Sequence, residues 1–297
     1  MDNKKLKSEN TKLVIAISSR ALFNLDQSHK IFKEKGIEAY AKHQQENEHV
    51  ILEPGVGFTL VKKLLKLNSK KTPIDVILLS RNSADTGLRI FNSIEHYDLN
   101  ISRAAFTRGE STHPFVGAFE ADLFLSSNYN DVQKALQSGY AAASIVESKS
   151  NNSHPSQLRI AFDGDAVIFS DESERIFQEK GLEAFHENEI LSEKIELKAG
   201  PFKSFLVSLQ KIQSTFPEED NPIRTALVTA RSAPSHRRVI HTMRKWGIRI
   251  DESFFLGGLE KGVFLRQFAA DIFFDDQQQH CESASQYVPT GHVPSGI

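Results

Sequence analysis

Apolar runs of strand length alternate along the chain with stretches whose apolar positions recur at helical spacing. LRIAF from Leu158, TALVTA from Thr225 and ADIFF from Ala270 are such runs, while PFKSFLVSLQKI puts Phe202, Phe205, Leu206, Leu209 and Ile212 on one helical stripe. Short continuous apolar runs suit strands buried on both faces, so the alternation predicts an α/β fold with a mainly parallel sheet. Ligands in such sheets bind outside the carboxyl ends of the strands. That is where this chain places its acids: Asp163 and Asp165 follow LRIAF, Asp275 and Asp276 follow ADIFF, and Thr229 follows TALV.

The pattern is written twice. Shifted by 145 residues, AISSRALFNLDQSHKIFKEKGIEAY (16–40) aligns with AFDGDAVIFSDESERIFQEKGLEAF (161–185) at 11 identities in 25 positions, where unrelated segments share about one or two. Leu52 and Gly55 keep that shift onto Leu197 and Gly200; from Pro73, which falls on Pro222, the shift is 149, consistent with a longer STFPEED loop in the second copy. Each copy, about 140 residues, is domain-sized. The expected organisation is a polar tail (1–11), a first unit (12–147), a linker (148–157) and a second unit (158–297). The charged segments after each first strand, 26–53 and 171–198, are expected to form small helical caps over the rims.

Composition narrows the class. The 297 residues are 39% hydrophobic and 25% charged, the profile of a soluble globular protein. A formal net charge of -2 argues against a broad surface for nucleic acid or anionic membrane, so an anionic substrate must be met by a local site. The single cysteine, Cys281, allows no intrachain disulfide, MDNKKLKSENT lacks the apolar core of a secretory signal, and no apolar run approaches the roughly 20 residues of a membrane span. A cytoplasmic protein without membrane or nucleic-acid partners is expected.

On one rim, Asp163, Asp165, Asp275 and Asp276 would meet Thr229 and Lys261. Crowded carboxylates raise one another's pKa and lose hydration on burial, and a hard divalent cation relieves both effects. All-oxygen ligation suits Mg2+, commonly held by one or two carboxylates together with a substrate phosphate. Magnesium with phosphate suggests phosphoryl transfer, in which Asp163 can be the nucleophile. Asp165, two residues on in extended chain, can point the same way as general acid and then base.

DGDAV at Asp163, VTARS around Thr229, EKG at Lys261 and FFDD ending at Asp276 resemble the four motifs of the haloacid dehalogenase-like phosphohydrolases. AFDGDAVIFSDESERI and LVTARSA further resemble the cytosolic 5'-nucleotidase type I family, and that likeness covers almost the whole chain. The resemblance implies two tandem Rossmann-like haloacid dehalogenase-type units. It implies Asp163 as nucleophile, Asp165 as acid and base, and Thr229 with the backbone N–H of Ala230 on the phosphoryl oxygens. Lys261 would offset charge, and Mg2+ would be held by Asp163, the backbone carbonyl of Asp165 and Asp275 or Asp276. The implied reaction is hydrolysis of nucleoside 5'-monophosphates, AMP among them, to nucleoside and phosphate. The resemblance also leaves room for a nucleotide effector and a homo-oligomer, without naming residues for either.

Two rivals stand beside this reading: a phosphatase of another small phosphomonoester, such as a sugar phosphate, and a nucleotide-binding regulatory protein with little turnover. The motifs read phosphate and not the alcohol, whereas a pure binder has no need of Asp165. SHRRVIHTMRKW (235–246) reads as a solvated helix face with Val239, Ile240 and Met243 inward, and Cys281 as an unreactive thiol.

The first copy is an internal control. Asp163, Asp165, Thr229, Lys261, Asp275 and Asp276 fall on Ser18, Arg20, Ser80, Thr112, Ser126 and Ser127, so every acid is gone while Phe106, Phe119 and Phe124 still match Phe255, Phe268 and Phe273. Arg20 cannot act as a general acid, and serines hold no magnesium by charge. The first unit is expected to be folded and catalytically dead, either as scaffold or as a source of contacts from Arg20 and TRGESTHP (107–114).

Overall fold

The computed structural model describes residues 12–148 and 154–294; the polar tail and the middle of the expected linker lie outside them. Among the described residues the apolar runs become ten strands of one sheet. In the first half these are β1 (Leu13–Ser18), β2 (Ile74–Ser80), β3 (Arg103–Phe106), β4 (Leu123–Ser126) and β5 (Ala142–Val146). In the second they are β6 (Leu158–Phe162), β7 (Ile223–Thr229), β8 (Glu252–Phe255), β9 (Ile272–Asp275) and β10 (Thr290–His292).

The spatial order is β3-β2-β1-β4-β5-β10-β9-β6-β7-β8. Both halves therefore have one strand order, and within each every pairing is parallel. The exception is the junction, where β5 and β10 run antiparallel with Thr290 opposite Val146 and His292 opposite Ser144. The two units expected from the sequence share one sheet, because β5 and β10 satisfy each other's edge N–H and C=O groups. Because that single pairing is antiparallel, the carboxyl ends of the first-half strands lie on the opposite edge of the sheet from those of the second half.

Five helices matter for the site: α1 (Asp26–Glu46), α2 (Phe58–Leu67), α3 (Glu172–Leu191), α4 (Lys203–Gln213) and α5 (His236–Trp246). The apolar stripe of α4 is buried, and α2 and α4 each reach across to the other half, α2 to β6 and α4 to β1. Phe162 and Phe274, rings 5.7 Å apart, pack with Phe202 and Phe205 under the strand ends. The helices α1 and α3 of the charged segments are each broken at a glycine, Gly36 and Gly181, with φ of 81° in both, which explains why both segments keep glycine there. On α5, Val239 and Met243 are buried as expected, but Ile240 is 36% exposed because one residue turns the side chain about 100° around the helix.

Candidate active site

β6 and β9 are sequence-distant neighbours, and the open order places the topological switch point between them. The Asp163 N–H extends this ladder by donating to the Phe274 carbonyl at 2.7 Å. Past Asp163 the chain coils through Gly164–Ile168, where Ala166 takes φ 59°. It returns through a bridge between Phe169 and Ala199, beside which a side chain on Gly200 would lie 2.2 Å from the Phe169 carbonyl. The turn thus releases Asp165 from the strand direction immediately after Asp163.

Asp163, Asp275 and Asp276 are all buried, each with a carboxylate oxygen within 4.8 Å of the others. Lys261, also buried, sits between two of them, 2.8 Å from Asp163 Oδ1 and 2.6 Å from Asp275 Oδ2. Burial lifts the pKa of Asp163 to about 7; Lys261 opposes the shift and Asp275 adds to it. Burial would raise Asp275 as well, but Lys261 and His280, 3.4 Å away, outweigh it and hold its carboxyl below the usual range. The two acids raise Lys261 against its own desolvation, so the ammonium stays charged.

Asp165 is not part of this cluster. Arg231 grips it with one edge of the guanidinium, Nε and Nη2 donating to the two carboxylate oxygens at 2.7 Å each. Arg231 Nη1 donates to Glu189 of cap helix α3, and the Phe185 ring lies 5.3 Å from the guanidinium carbon. Thr229 is buried at the end of β7, its Oγ1 accepting from the Arg231 N–H at 3.2 Å, and Ala230 follows it directly. A side chain at Gly164 would come 3.3 Å from Thr229 Oγ1, so glycine keeps the hydroxyl beside the Asp163 turn. Cys281 donates to the Asp275 carbonyl, and burial pushes its thiol up, away from thiolate chemistry.

The first-half rim carries its own ion pair. Arg81, in the position of Ala230, donates through Nε and Nη2 to Asp131, in the position of His280, at 2.9 Å each, and Ser111 and Thr112 donate to the same carboxylate. A cavity of about 990 Å³ lies along this rim, lined by Arg20, Asp26, Lys62 and Ser127 among others, not at the carboxylate cluster. Two of the cations lining it are paired, Arg20 with Asp26 and Lys63 with Asp271. Since the two rims occupy opposite edges of the sheet, Arg20 and the 107–114 segment do not line the Asp163 site of the same chain.

A model of the 5'-nucleotidase family matches residues 5–297. The chain belongs to the 5'-nucleotidase family. Human cytosolic 5'-nucleotidase 1B is 40% identical over 288 residues, covering 92% of this chain and 47% of that protein, which supports the type I branch. The chain thus spans about half the length of that curated relative. No solved structure matches it. Among the described residues no helix is long and apolar enough to cross a membrane.

For this 5'-nucleotidase family member the cluster fits a hard divalent cation. Three carboxylates meet in a buried volume, and Lys261 faces two of them, Asp163 and Asp275. Asp163 Oδ1, despite the nearby ammonium, receives no well-directed hydrogen bond. The motifs that name the acids do not name Arg231, Glu189 or Arg238 as partners. Their signal lies in the repeat, where they fall on Asn82, Gln44 and Arg89, so the first two change charge between the copies.

Proposed function

We propose that the chain is a magnesium-dependent phosphomonoesterase that hydrolyses nucleoside 5'-monophosphates, AMP-like ones included, through an aspartyl-phosphate on Asp163. The observation that carries this is the buried meeting of Asp163, Asp275 and Asp276 with Lys261 at the switch point. An Asp163 oxygen attacks phosphorus and the bond to the 5' oxygen breaks, while Asp165 gives that oxygen a proton and nucleoside leaves. Water then attacks phosphorus, its proton passes to Asp165, and the bond to Asp163 breaks to release phosphate. Thr229 Oγ and the Ala230 N–H donate to phosphoryl oxygens, and Lys261 offsets their charge. Asp163, Asp275 or Asp276, and the Asp165 backbone carbonyl would hold Mg2+, which when bound supplies positive charge against the phosphate.

On the same reading the units 12–147 and 158–297 are an internal duplication, the second catalytic and the first a scaffold, at work in the reducing cytoplasm that the lone buried thiol suits. The test is phosphate release from a panel of nucleoside monophosphates and sugar phosphates with Mg2+, beside Asp163→Asn. Turnover of nucleotides, abolished in the variant, is expected. Preference for a sugar phosphate overturns the substrate, and full activity of Asp163→Asn overturns the nucleophile.

A further inference from the structure

We infer that Arg231 is a positioning residue for Asp165, anchored by Glu189 of the cap, a role that rests on Asp165 acting as acid and base. The Arg231 side chain is 3% exposed and divides its donors between the two carboxylates. A fork held at both ends cannot rotate without leaving a buried charge unpaired, so the Asp165 carboxylate has one direction.

The first half shows that this charge is not required to dock a cap. Ser28 donates to Gln44 Oε1 as Ser173 does to Glu189 Oε1. Arg89 donates to Gln44 and to the Val50 carbonyl as Arg238 does to Glu189 and the Ile195 carbonyl. That frame is common to both halves. The first half completes it with neutral groups: the Tyr40 hydroxyl, in the place of Phe185, donates to Asn82, in the place of Arg231, and accepts from Gln44. A helix of 21 residues, against 20 in the second half, with the same break at a glycine, packs there with Asn82 and Gln44 at the places of Arg231 and Glu189; its ion pair to the rim, Arg20 with Asp26, lies at its first residue, away from that frame. Arg231 and Glu189 carry charge only in the half where Asp165 stands, and what they add to the frame is the grip on Asp165.

The test transplants the neutral set, Phe185→Tyr, Glu189→Gln and Arg231→Asn together, beside Arg231→Lys and Asp165→Asn. Single-turnover nucleoside release is measured with Mg2+ on a nucleoside 5'-phosphate and on its 5'-S-phosphorothiolate, whose thiolate leaves without a proton. The transplant should unfold at the parent temperature and keep KM. Its release rate should fall about 30-fold or more on the phosphate and at least fivefold less than that on the thiolate. Arg231→Lys, with charge but no fork, should fall in between. A parental release rate in the transplant overturns the role of Arg231 while an inactive Asp165→Asn leaves the acid intact; an active Asp165→Asn removes the acid and the inference together. An equal loss on both substrates, or an unfolded transplant, also overturns the inference, because either makes the charges structural.

Discussion

The Lys63 ammonium of the first half lies 2.7 and 2.8 Å from the two carboxylate oxygens of Asp271 in the second. In the repeat these residues fall on Ser208 and Asp122, which meet with the halves exchanged at 2.8 Å. The halves therefore join through two related contacts, as in an isologous pair. Lys63→Met leaves the fully buried Asp271 side chain without its cation and should cost about 3 kcal/mol. Ser208→Ala should cost only about 1. Urea midpoints check both, and equal losses contradict the assignment.

Asp163 makes stability depend on pH. With its pKa raised from 3.8 to about 7, the metal-free folded chain keeps a proton that the unfolded chain has released, so stability falls as pH rises through that window. Metal-free Asp163→Asn should exceed the parent at pH 8 by on the order of 2–4 kcal/mol, with the gap closing towards pH 4. Thermal unfolding in a chelator at several pH values measures this. A divalent cation competes with that proton, so its apparent affinity should rise about tenfold per pH unit below 7 and level off above.

Lys261→Met leaves the clustered acids without their ammonium. Metal-free stability at pH 8 should fall by about 3 kcal/mol. Excess Mg2+ should restore much of that, but turnover should stay roughly a hundredfold or more below the parent. Denaturation with and without Mg2+, together with kcat, separates the two effects; an unchanged metal-free midpoint would refute the charge balance.

In the first half, Ser18→Ala should leave turnover within about twofold, whereas Arg81→Met, which takes the cation from buried Asp131 and leaves it the Ser111 and Thr112 hydroxyls, should destabilise by about 1–2 kcal/mol without lowering kcat per folded molecule. A hundredfold loss of kcat in Ser18→Ala, about 2.7 kcal/mol of barrier, would contradict a catalytically silent first unit.

Legibility in the sequence followed the range of the interaction. LRIAF and ADIFF announce β6 and β9, and the acids that follow them announce a rim, because strand propensity and strand ends are local properties. The single sheet was not legible, since the β5–β10 pairing depends on three residues, Thr290–His292, too short a run to read as a strand. Arg238 appeared in the sequence as part of a solvated basic helix, yet it is buried against Glu189, because a charge is recognised as paired only once its partner is placed.

By itself the sequence determined the alternation of strands and helices, the acids at the second half's strand ends and their absence from the matching positions of the first, since each is read from neighbours along the chain or from the chain against itself. Tertiary structure alone decided that Arg231 holds Asp165, 66 residues away, that Lys63 holds Asp271, 208 away, and that the two rims face opposite edges. Those depend on how distant strands are ordered and directed, which is settled by packing and edge pairing across the whole sheet rather than by any local pattern.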